Sequence, residues 1–242
     1  LVETFTKFWV EYNPDIITGW NVKFFDIPYL MNRFRYLMGD EWLNQFSPWG
    51  VVEQKSASVL FASREQQVWN IMGVDTLDYL DLYRKFTFVR RESYKLDYIG
   101  EVELGQNKLD NPYDTFKEFY SNDYQRFVEY NIQDVELVDK LEDKLQLIAL
   151  FLTMAYEAKV NYQDVFGQVR IWDCIIYHHL RSKNIVPPAV QESKTSSGYE
   201  GAYVKDPVVG FHDWVCSFDL NSLYPHLIMQ YNISPETMVG FE

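Results

Sequence analysis

Apolar positions along the first 38 residues predict a helix, a short strand and a second helix. The segment at 5–12, FTKFWVEY, is amphipathic, and Asn13-Pro14-Asp15 ends it. Ile16 and Ile17 then predict a short buried strand. Asp26-Ile27-Pro28 is typical of a helix start, because Asp is favoured near the N-terminal cap and Pro is tolerated in the first turn. The second helix would carry the apolar residues Tyr29, Leu30, Phe34 and Leu37.

Three further patterns follow between residues 51 and 152. Residues 51–72 alternate weakly between apolar and polar, which predicts strands joined by polar turns and hence one or two hairpins. Residues 74–86 predict a strand that runs into a helix. Residues 121–152 form the longest helical pattern, in which apolar residues recur at spacings of three and four: Val135, Val138, Leu141, Leu145, Ile148 and Leu152. This alternation of helices and strands predicts an α/β domain over the first 150 residues.

A polar stretch at 187–201, rich in Pro, Ser and Gly, predicts a linker or an exposed loop. It is therefore a candidate domain boundary. After it, the apolar residues 214–218 predict a strand that ends at Asp219. A helical pattern starts near Pro225 and continues through Tyr231.

Composition indicates a folded globular protein. The chain has 242 residues, enough for one large or two modest domains, and 47% of them are hydrophobic and 17% aromatic. No apolar run reaches the length of a membrane span, and no signal peptide is recognisable. The two cysteines, Cys174 and Cys216, are too few for a disulfide framework, which favours a reducing, cytoplasmic compartment. Because the first residue is Leu1, we expect the true N-terminus to be missing.

The formal net charge is -13. Phosphate contacts need Lys and Arg, so this charge argues against a general, non-specific coating of DNA. It leaves room for DNA held in a local basic groove, and a site that binds divalent cations through carboxylates is itself acidic.

Three acidic residues are candidates for metal ligands. Asp26 follows a predicted strand and loop at the start of a helix, where a helix cap is the ordinary alternative. Asp134 shares a helix face with Tyr130, four residues earlier, beside the apolar seam that continues through Val138. A carboxylate there needs a partner, which is a metal ion, a paired Arg or Lys, or solvent. Asp219 ends a predicted strand, where catalytic residues are common, but an ordinary cap or turn is the alternative.

The sequence around Asp219 resembles a known family. DLNSLYP, at 219–225, resembles motif A of family B DNA polymerases, D-x-x-S-L-Y-P. The continuation NISPET, at 232–237, resembles the branch found in T-even-like bacteriophages. Motif A is a specific signal by itself.

Three upstream segments resemble other motifs of the same family, in the family's order. GWNVKFFDIPYL is similar to the second exonuclease motif, whose N-x-x-x-F-D core falls on Asn21, Phe25 and Asp26. YNIQD, at 130–134, resembles the third exonuclease motif, Y-x-x-x-D, and is a weak signal alone. Residues 199–202, YEGA, resemble the Y-x-G-G/A element that joins the two activities.

The resemblance implies an internal piece of such a polymerase with a mixed α/β (α+β) fold. Residues 1–147 would be a ribonuclease H-like 3′-5′ exonuclease domain without its first motif. Residues 148–190 would be a helical connecting segment belonging to the N-terminal domain, and residues 191–242 the beginning of the polymerase palm.

For the exonuclease, the resemblance implies that Asp26 and Asp134 are metal ligands and that Tyr130 positions the attacking water. Asn21 and Phe25 would lie near the frayed 3′ end of single-stranded DNA, although Phe25 is equally compatible with a core position. Two Mg²⁺ or Mn²⁺ ions would serve each active site, since hard cations prefer carboxylate oxygens.

For the polymerase, the resemblance implies that Asp219 binds both metals and that the backbone carbonyl of Leu220 faces one of them. Leu220, Ser222, Leu223 and Tyr224 would contact the incoming nucleotide, with Tyr224 as the steric gate against a 2′-hydroxyl. Tyr199 and Gly201 would contact DNA. His226 stands where the family often has Ser, either as a tolerated helix residue, which we favour, or as a modest change near the nucleotide turn.

The implied partners are primer-template DNA, single-stranded DNA, deoxynucleoside triphosphates, a sliding clamp and other replisome proteins, in the cytoplasm of an infected bacterium and without a membrane. Residues 51–72 would be the hairpin that moves the primer end between sites, or a plain structural hairpin. The D-x-E exonuclease motif and the later polymerase motifs are not found in these 242 residues, so we expect this piece alone to be inactive.

Three rival interpretations explain less. A stand-alone exonuclease accounts for Asp26, Tyr130 and Asp134 but not for DLNSLYP. A non-enzymatic DNA-binding module would favour a basic face, which the net charge of -13 does not support. An acidic interaction domain would require all four motifs to be accidental.

Overall fold

The computed structural model describes residues 1–58, 65–187, 201–237 and 239. The chain divides into two compact units, Leu1–Ala189 and Val190–Glu242, and each is described by itself.

The first unit mixes helices and short strands, as the alternating pattern predicts. Its elements are α1 (Val2–Tyr12), β1 (Ile16–Gly19), α2 (Asp26–Met38), α3 (Asp40–Leu43), β2 (Val52–Ser58), β3 (Glu65–Ile71), β4 (Asp75–Asp78), α4 (Tyr79–Phe86), α5 (Leu96–Leu104), α6 (Phe116–Asn122), α7 (Tyr124–Leu145), α8 (Leu147–Ala158) and α9 (Gln168–Ser182), with 3-10 helices at Asn44–Phe46 and Tyr162–Phe166. The second unit contains α10 (Leu223–Tyr231) and a 3-10 helix at Pro235–Thr237.

Two small sheets organise the first unit. β1 runs parallel to β4, with Ile16 opposite Asp75 and Gly19 opposite Asp78, so both strands end at the same edge. β2 and β3 pair antiparallel, with Val52 opposite Ile71, which confirms a hairpin within 51–72. The part of that prediction at 59–64 lies outside the described residues.

Two apolar cores stabilise the first unit. The larger joins β4 to α4, α5, α7 and α8 through fully buried side chains that include Leu77, Tyr83, Ile99, Leu137 and Phe151. The smaller joins α2 to the hairpin and to the 3-10 helix at Asn44–Phe46, through Met31, Phe34, Phe46 and Ile71.

The long helical pattern at 121–152 is broken in the structure, which corrects the prediction. α7 ends at Leu145, Gln146 takes the left-handed backbone conformation with φ 51°, and α8 starts at Leu147. The Glu142 carboxylate accepts from the backbone N–H of Ile148 at 3.0 Å and of Ala149 at 3.3 Å, so it supplies acceptors for the new helix start.

The predicted apolar seam is confirmed at Val138, Leu141, Leu145 and Ile148, which are buried in or packed against the larger core, but not at Val135. Leu137 and Leu141 are fully buried, whereas Val135 is 71% exposed. Leu137 packs closely on α5, since a Cβ at Gly100 would lie 3.5 Å from Leu137 Cδ2. The face of α7 that packs on α5 therefore includes Leu137, which is not one of the predicted seam positions.

The strand predicted at 214–218 is wrong, because these residues form neither strand nor helix. A strand needs a neighbour to bond its backbone, and no strand pairs with this stretch among the described residues. The helix predicted from Pro225 to Tyr231 is confirmed as α10, which starts two residues earlier. Within the described part of the chain, we find no helix whose length and apolarity would let it cross a membrane.

Candidate active site

The loop between β1 and α2 carries the first group of predicted site residues. Asn21 takes a left-handed conformation with φ 63°, and its carbonyl accepts from the backbone N–H of Phe25 at 3.0 Å. Phe25 is 66% exposed, so the structure contradicts the alternative that it is a core residue. The Ile27 N–H donates to the Val22 carbonyl at 3.0 Å, which joins the loop to the first turn of α2.

Asp26 is the first residue of α2. The cap position belongs to Phe25, and no side chain caps this helix, so Asp26 is not the cap. A carboxylate in the first turn is nevertheless favoured by the positive end of the helix dipole. The residue is exposed, yet partial burial of its carboxyl raises its pKa above the ordinary value, against a hydrogen bond from its own backbone N–H.

Asp134 lies on α7 and forms an ion pair with Lys108. Lys108 Nζ lies 2.5 Å from Asp134 Oδ2, and the two side chains are 23% and 26% exposed. Asp134 Oδ1 is buried and accepts no hydrogen bond from any residue that the structure describes. One oxygen of this carboxylate therefore already binds a cation, and the other is available as a ligand.

Tyr130 lies one turn before Asp134 and contacts the same lysine. Lys108 Nζ lies 5.4 Å from the centre of the Tyr130 ring, within the range of a cation–π interaction. The rings of Phe116 and Phe119 stand edge-on to Tyr130, each at 5.9 Å. Tyr130 and Asp134 are thus on one face, as their spacing predicts, and Lys108 joins them.

Asp78, at the end of β4, was missed by the sequence patterns. Its side chain accepts from the backbone N–H groups of Asn21 at 2.9 Å, Lys23 at 3.0 Å and Leu80 at 3.0 Å. Burial raises the pKa of Asp78 to about 6, against these hydrogen bonds, and the nearby Asp81 raises it further.

Lys108 was also missed, because no local signal marks it: it stands 26 residues before its partner, outside any recognisable motif. For Asp78, the only signal is an Asp at the junction of a predicted strand and helix, which is common at any helix start.

The donor chemistry at Asp26 and Asp134 suits a hard divalent cation, because carboxylate oxygens are its preferred protein ligands. Asp134 Oδ1, which accepts no hydrogen bond from the described residues, is the atom that fits this role best. The described residues hold no cluster of three or more His, Cys, Asp or Glu side chains arranged around a metal position. Asp26 and Asp134 are thus candidate ligands rather than a complete cage.

In the second unit, the predicted polymerase residues lie on the turn before α10 and on the first two residues of that helix. Asp219 is exposed, as are Leu220 and Tyr224. Ser222 takes the left-handed conformation with φ 52° directly before Leu223, the first residue of α10. Gly201 is exposed, and Tyr199 lies outside the described residues.

His226 contacts this turn from the first part of α10. Its Nδ1 lies 2.9 Å from the Ser222 carbonyl oxygen, which also accepts the His226 backbone N–H at 3.1 Å. The side chain that departs from the common Ser therefore bonds to the turn rather than standing apart from it.

Two family models match the chain, and together they cover more than half of it. The model described as DNA polymerase family B, exonuclease domain, matches residues 1–99. The model described as DNA polymerase family B matches residues 163–242. Asp26 and Asp219 fall within these matches, whereas Lys108, Tyr130 and Asp134 fall between them.

Individual relatives align with nearly the whole chain. The DNA-directed DNA polymerase of Escherichia phage RB69 is 42% identical over 242 residues, which cover 99% of this chain and 26% of the relative. That of Enterobacteria phage T4 is 38% identical over 237 residues, covering 98% and 26%. The DNA polymerase delta catalytic subunit of Candida albicans is 29% identical over 252 residues, covering 97% and 23%. The chain thus spans about a quarter of the length of these relatives.

Proposed function

The chain belongs to DNA polymerase family B, and from that premise we propose that it carries parts of two active sites of a replicative DNA-directed DNA polymerase. One is a 3′-5′ proofreading exonuclease site with Asp26, Tyr130 and Asp134. The other is the first catalytic segment of the polymerase site, at residues 219–224.

The observation that carries the exonuclease proposal is the state of the Asp134 carboxylate. A buried carboxylate oxygen without a hydrogen bond is costly, so proteins normally satisfy it. A carboxylate oxygen at the exposed surface would not carry this energetic cost. Asp134 Oδ1 is therefore best explained as a ligand atom whose partner is a divalent cation.

Tyr130 on α7 and Lys108 from the segment after α5 complete the arrangement around Asp134. The phenol of Tyr130 lies on the same helix face as Asp134 and suits the positioning of an attacking water. Lys108 holds the second oxygen of Asp134 and fixes that side chain before substrate binds. Asn21 and Phe25, on the loop before Asp26, would contact the 3′-terminal nucleotide; the exposed Phe25 ring suits stacking on a base.

The polymerase proposal depends on the turn before α10. Successive backbone N–H groups at a left-handed residue that leads into a helix can bind an anion, which suits the triphosphate of an incoming deoxynucleotide. Asp219 and the Leu220 carbonyl would supply metal ligands, Ser222 and Leu223 would line the nucleotide, and Tyr224 would exclude a 2′-hydroxyl.

Two Mg²⁺ or Mn²⁺ ions per active site, when bound, would stabilise the attacking and leaving oxygens of phosphoryl transfer. Asp26 and Asp134 would hold them in the exonuclease, and Asp219 in the polymerase. The contribution of this chain is to orient those carboxylates, to place Tyr130 beside the water, and to bind the two kinds of DNA end.

The remaining assignments are proposals of the same kind. Residues 1–147 would form a ribonuclease H-like exonuclease domain, 148–190 a connecting segment and 191–242 the beginning of the palm. Primer-template DNA, single-stranded DNA, deoxynucleoside triphosphates and a sliding clamp would be the partners, in the cytoplasm of an infected bacterium.

The test separates the two sites in the full-length polymerase that contains this chain. Asp26→Asn and Asp134→Asn are expected to slow Mg²⁺-dependent hydrolysis of single-stranded DNA by about 100- to 1,000-fold while leaving primer extension intact. Asp219→Asn is expected to do the reverse. Both reactions are measured on labelled oligonucleotides with the same enzyme preparation.

Matched controls use carboxylates in equivalent local positions. Asp139→Asn changes an exposed residue of the same helix as Asp134, and Asp40→Asn changes the first residue of α3, as Asp26 is the first of α2. Neither should alter hydrolysis. The proposal fails if Asp134→Asn is as active as Asp139→Asn, or if all three site variants lose both reactions together.

A further inference from the structure

The buried carboxylate of Asp78 connects two parts of the chain that the proposed exonuclease site depends on. Its Oδ1 accepts from the backbone N–H of Asn21 at 2.9 Å and of Leu80 at 3.0 Å, and its Oδ2 accepts from the N–H of Lys23 at 3.0 Å. The residue is 2% exposed. The Leu80 bond caps α4, but the other two bonds hold a loop more than 50 residues earlier in the sequence.

The parallel pairing of β1 and β4 explains why Asp78 contacts a loop so far away in the sequence. Gly19 and Asp78 are partners in the register and are the last residues of their strands. The chain leaving β1 therefore passes directly over the Asp78 side chain. A second bond at the same edge, from Thr18 Oγ1 to the Leu77 carbonyl at 2.7 Å, fixes the spacing of the two strands.

The loop bound by Asp78 is connected to Asp26 by a continuous series of backbone hydrogen bonds. Asn21 and Lys23 are bound to Asp78, the Asn21 carbonyl accepts from Phe25, and the Val22 carbonyl accepts from Ile27. Asp26 lies between those last two donors. A shift of the loop at Asn21 or Lys23 would therefore move Asp26 as well.

We propose that Asp78 is a positioning residue of the exonuclease: by binding the Asn21 and Lys23 amides, it holds Asn21 and Asp26 in place at the end of β1. This inference depends on the proposed function of Asp26. The described hydrogen bonds of Asp78 come from backbone amides, so in this role it acts through the loop and not on metal or substrate.

A carboxylate is needed because three amides converge on two oxygens. An Asn side chain has one oxygen, so its NH₂ group would face either Lys23 or the pair formed by Asn21 and Leu80. A Ser side chain reaches the N-terminal amides of its own helix but is too short to reach the loop as well.

The test measures Asp78→Asn in the full-length polymerase. Hydrolysis of single-stranded DNA is expected to fall about 10- to 100-fold in kcat, and the Mg²⁺ concentration for half-maximal activity to rise, because a displaced Asp26 binds metal less well. Primer extension by the same preparation should be unchanged. A purely structural role would lower the melting temperature and leave the Mg²⁺ dependence of hydrolysis where it was.

Asp123→Asn is the matched control. Asp123 is also an aspartate at a helix cap, but among the described residues its side chain accepts only from the Arg126 amide of its own helix. It should leave the Mg²⁺ dependence unchanged. Asp26→Asn, assayed in parallel, separates the proposed exonuclease function from the role of Asp78. If Asp26→Asn retains hydrolysis, the proposed function fails. If Asp26→Asn is inactive and Asp78→Asn is normal, only the role of Asp78 is overturned.

A measurement on the wild-type chain decides the case in which Asp78→Asn loses both reactions. Hydrogen exchange of the Asn21 and Lys23 amides should be slow, comparable to amides within β1, because both are bonded to a buried acceptor. Exchange at the rate of a free loop would overturn the proposal.

Discussion

Asp134 in the first unit and Asp219 in the second are both proposed metal ligands, but their surroundings differ. Asp134 contacts Lys108 from another part of the chain, and its helix packs on α5 through the fully buried Leu137. Asp219 is exposed within a stretch that pairs with no strand among the described residues. The bonds described near Asp219 are local, such as that between Ser222 and His226.

This difference shows what fixes a carboxylate before its ligand arrives. Tertiary packing restricts Asp134, because moving it would break an ion pair and disturb a core. Local hydrogen bonds fix the turn at Ser222 only relative to α10, the helix that follows it. The first region should therefore respond strongly to changes in distant residues, and the second should respond only to changes within the turn.

The strongest test of this comparison removes one buried and one exposed phenylalanine. Phe151 is fully buried, 5.0 Å from the ring of Phe166, whereas Phe218 is 92% exposed. Phe151→Ala should lower the free energy of unfolding by about 3–5 kcal/mol because it leaves a cavity. Phe218→Ala should change it by no more than about 0.5 kcal/mol. Urea unfolding of both variants checks this, and equal losses would mean that the two regions do not differ.

A second test uses the pH dependence of the first region. The folded state raises the pKa of Asp78 to about 6, so its proton stabilises the fold fully below the unfolded value near 4, and this stabilisation is lost as the pH rises through 6. The loss amounts to about 3 kcal/mol. The difference in unfolding free energy between the wild type and Asp78→Asn should change by about this amount between pH 4 and 7. A constant gap would contradict it.

Removing Lys108 tests the region at the site itself. Lys108→Met leaves both oxygens of the partly buried Asp134 without a described partner, which should cost about 1–2 kcal/mol of stability. Lys140→Met is the control, since its pair with Glu136 spans 3.9 Å at the surface and should contribute less than about 0.5 kcal/mol.

Adding Mg²⁺ to the same two proteins, the wild type and Lys108→Met, tests whether Asp134 is a metal ligand. If Asp134 is a metal ligand, added Mg²⁺ should raise the melting temperature of Lys108→Met more than that of the wild type, because the ion takes over the charge of the missing ammonium. Equal shifts in the two proteins would argue that Asp134 is only one half of a structural ion pair.

The sequence predicted the local elements of the first region well, for a physical reason. The start of α2 at Asp26, the hairpin within 51–72 and the strand-to-helix step at 74–86 are each encoded by neighbouring residues. Periodicity failed where a side chain or a neighbouring helix decided the outcome. Glu142 folds onto the amides of Ile148 and Ala149 and ends a pattern that continues in sequence.

The candidate site was predictable only where it resembles the family's motifs. Asp26 and Asp134 stand in such motifs, but Asp78 and Lys108 are defined by partners 57 and 26 residues away. No local spacing encodes a contact of that kind, since it depends on how β1 meets β4 and on where the segment after α5 crosses α7. The strand predicted at 214–218 failed for the complementary reason: its residues suit a strand, but a strand also needs a partner.

The smallest expected effect compares the two helix starts. Asp123 accepts from the Arg126 amide and caps α7, so Asp123→Ala should cost about 1 kcal/mol. Ser222 occupies the cap position of α10 but its side chain makes no capping bond there, so Ser222→Ala should cost nothing measurable. Ser222→Gly should instead stabilise the turn slightly, since glycine adopts the left-handed conformation without strain. Thermal unfolding resolves the first change, and amide exchange in α10 reports the other two. A capping loss at Ser222 equal to that at Asp123 would show that the turn before α10 is held by its side chain after all, and the contrast between tertiary and local control would no longer explain the two regions.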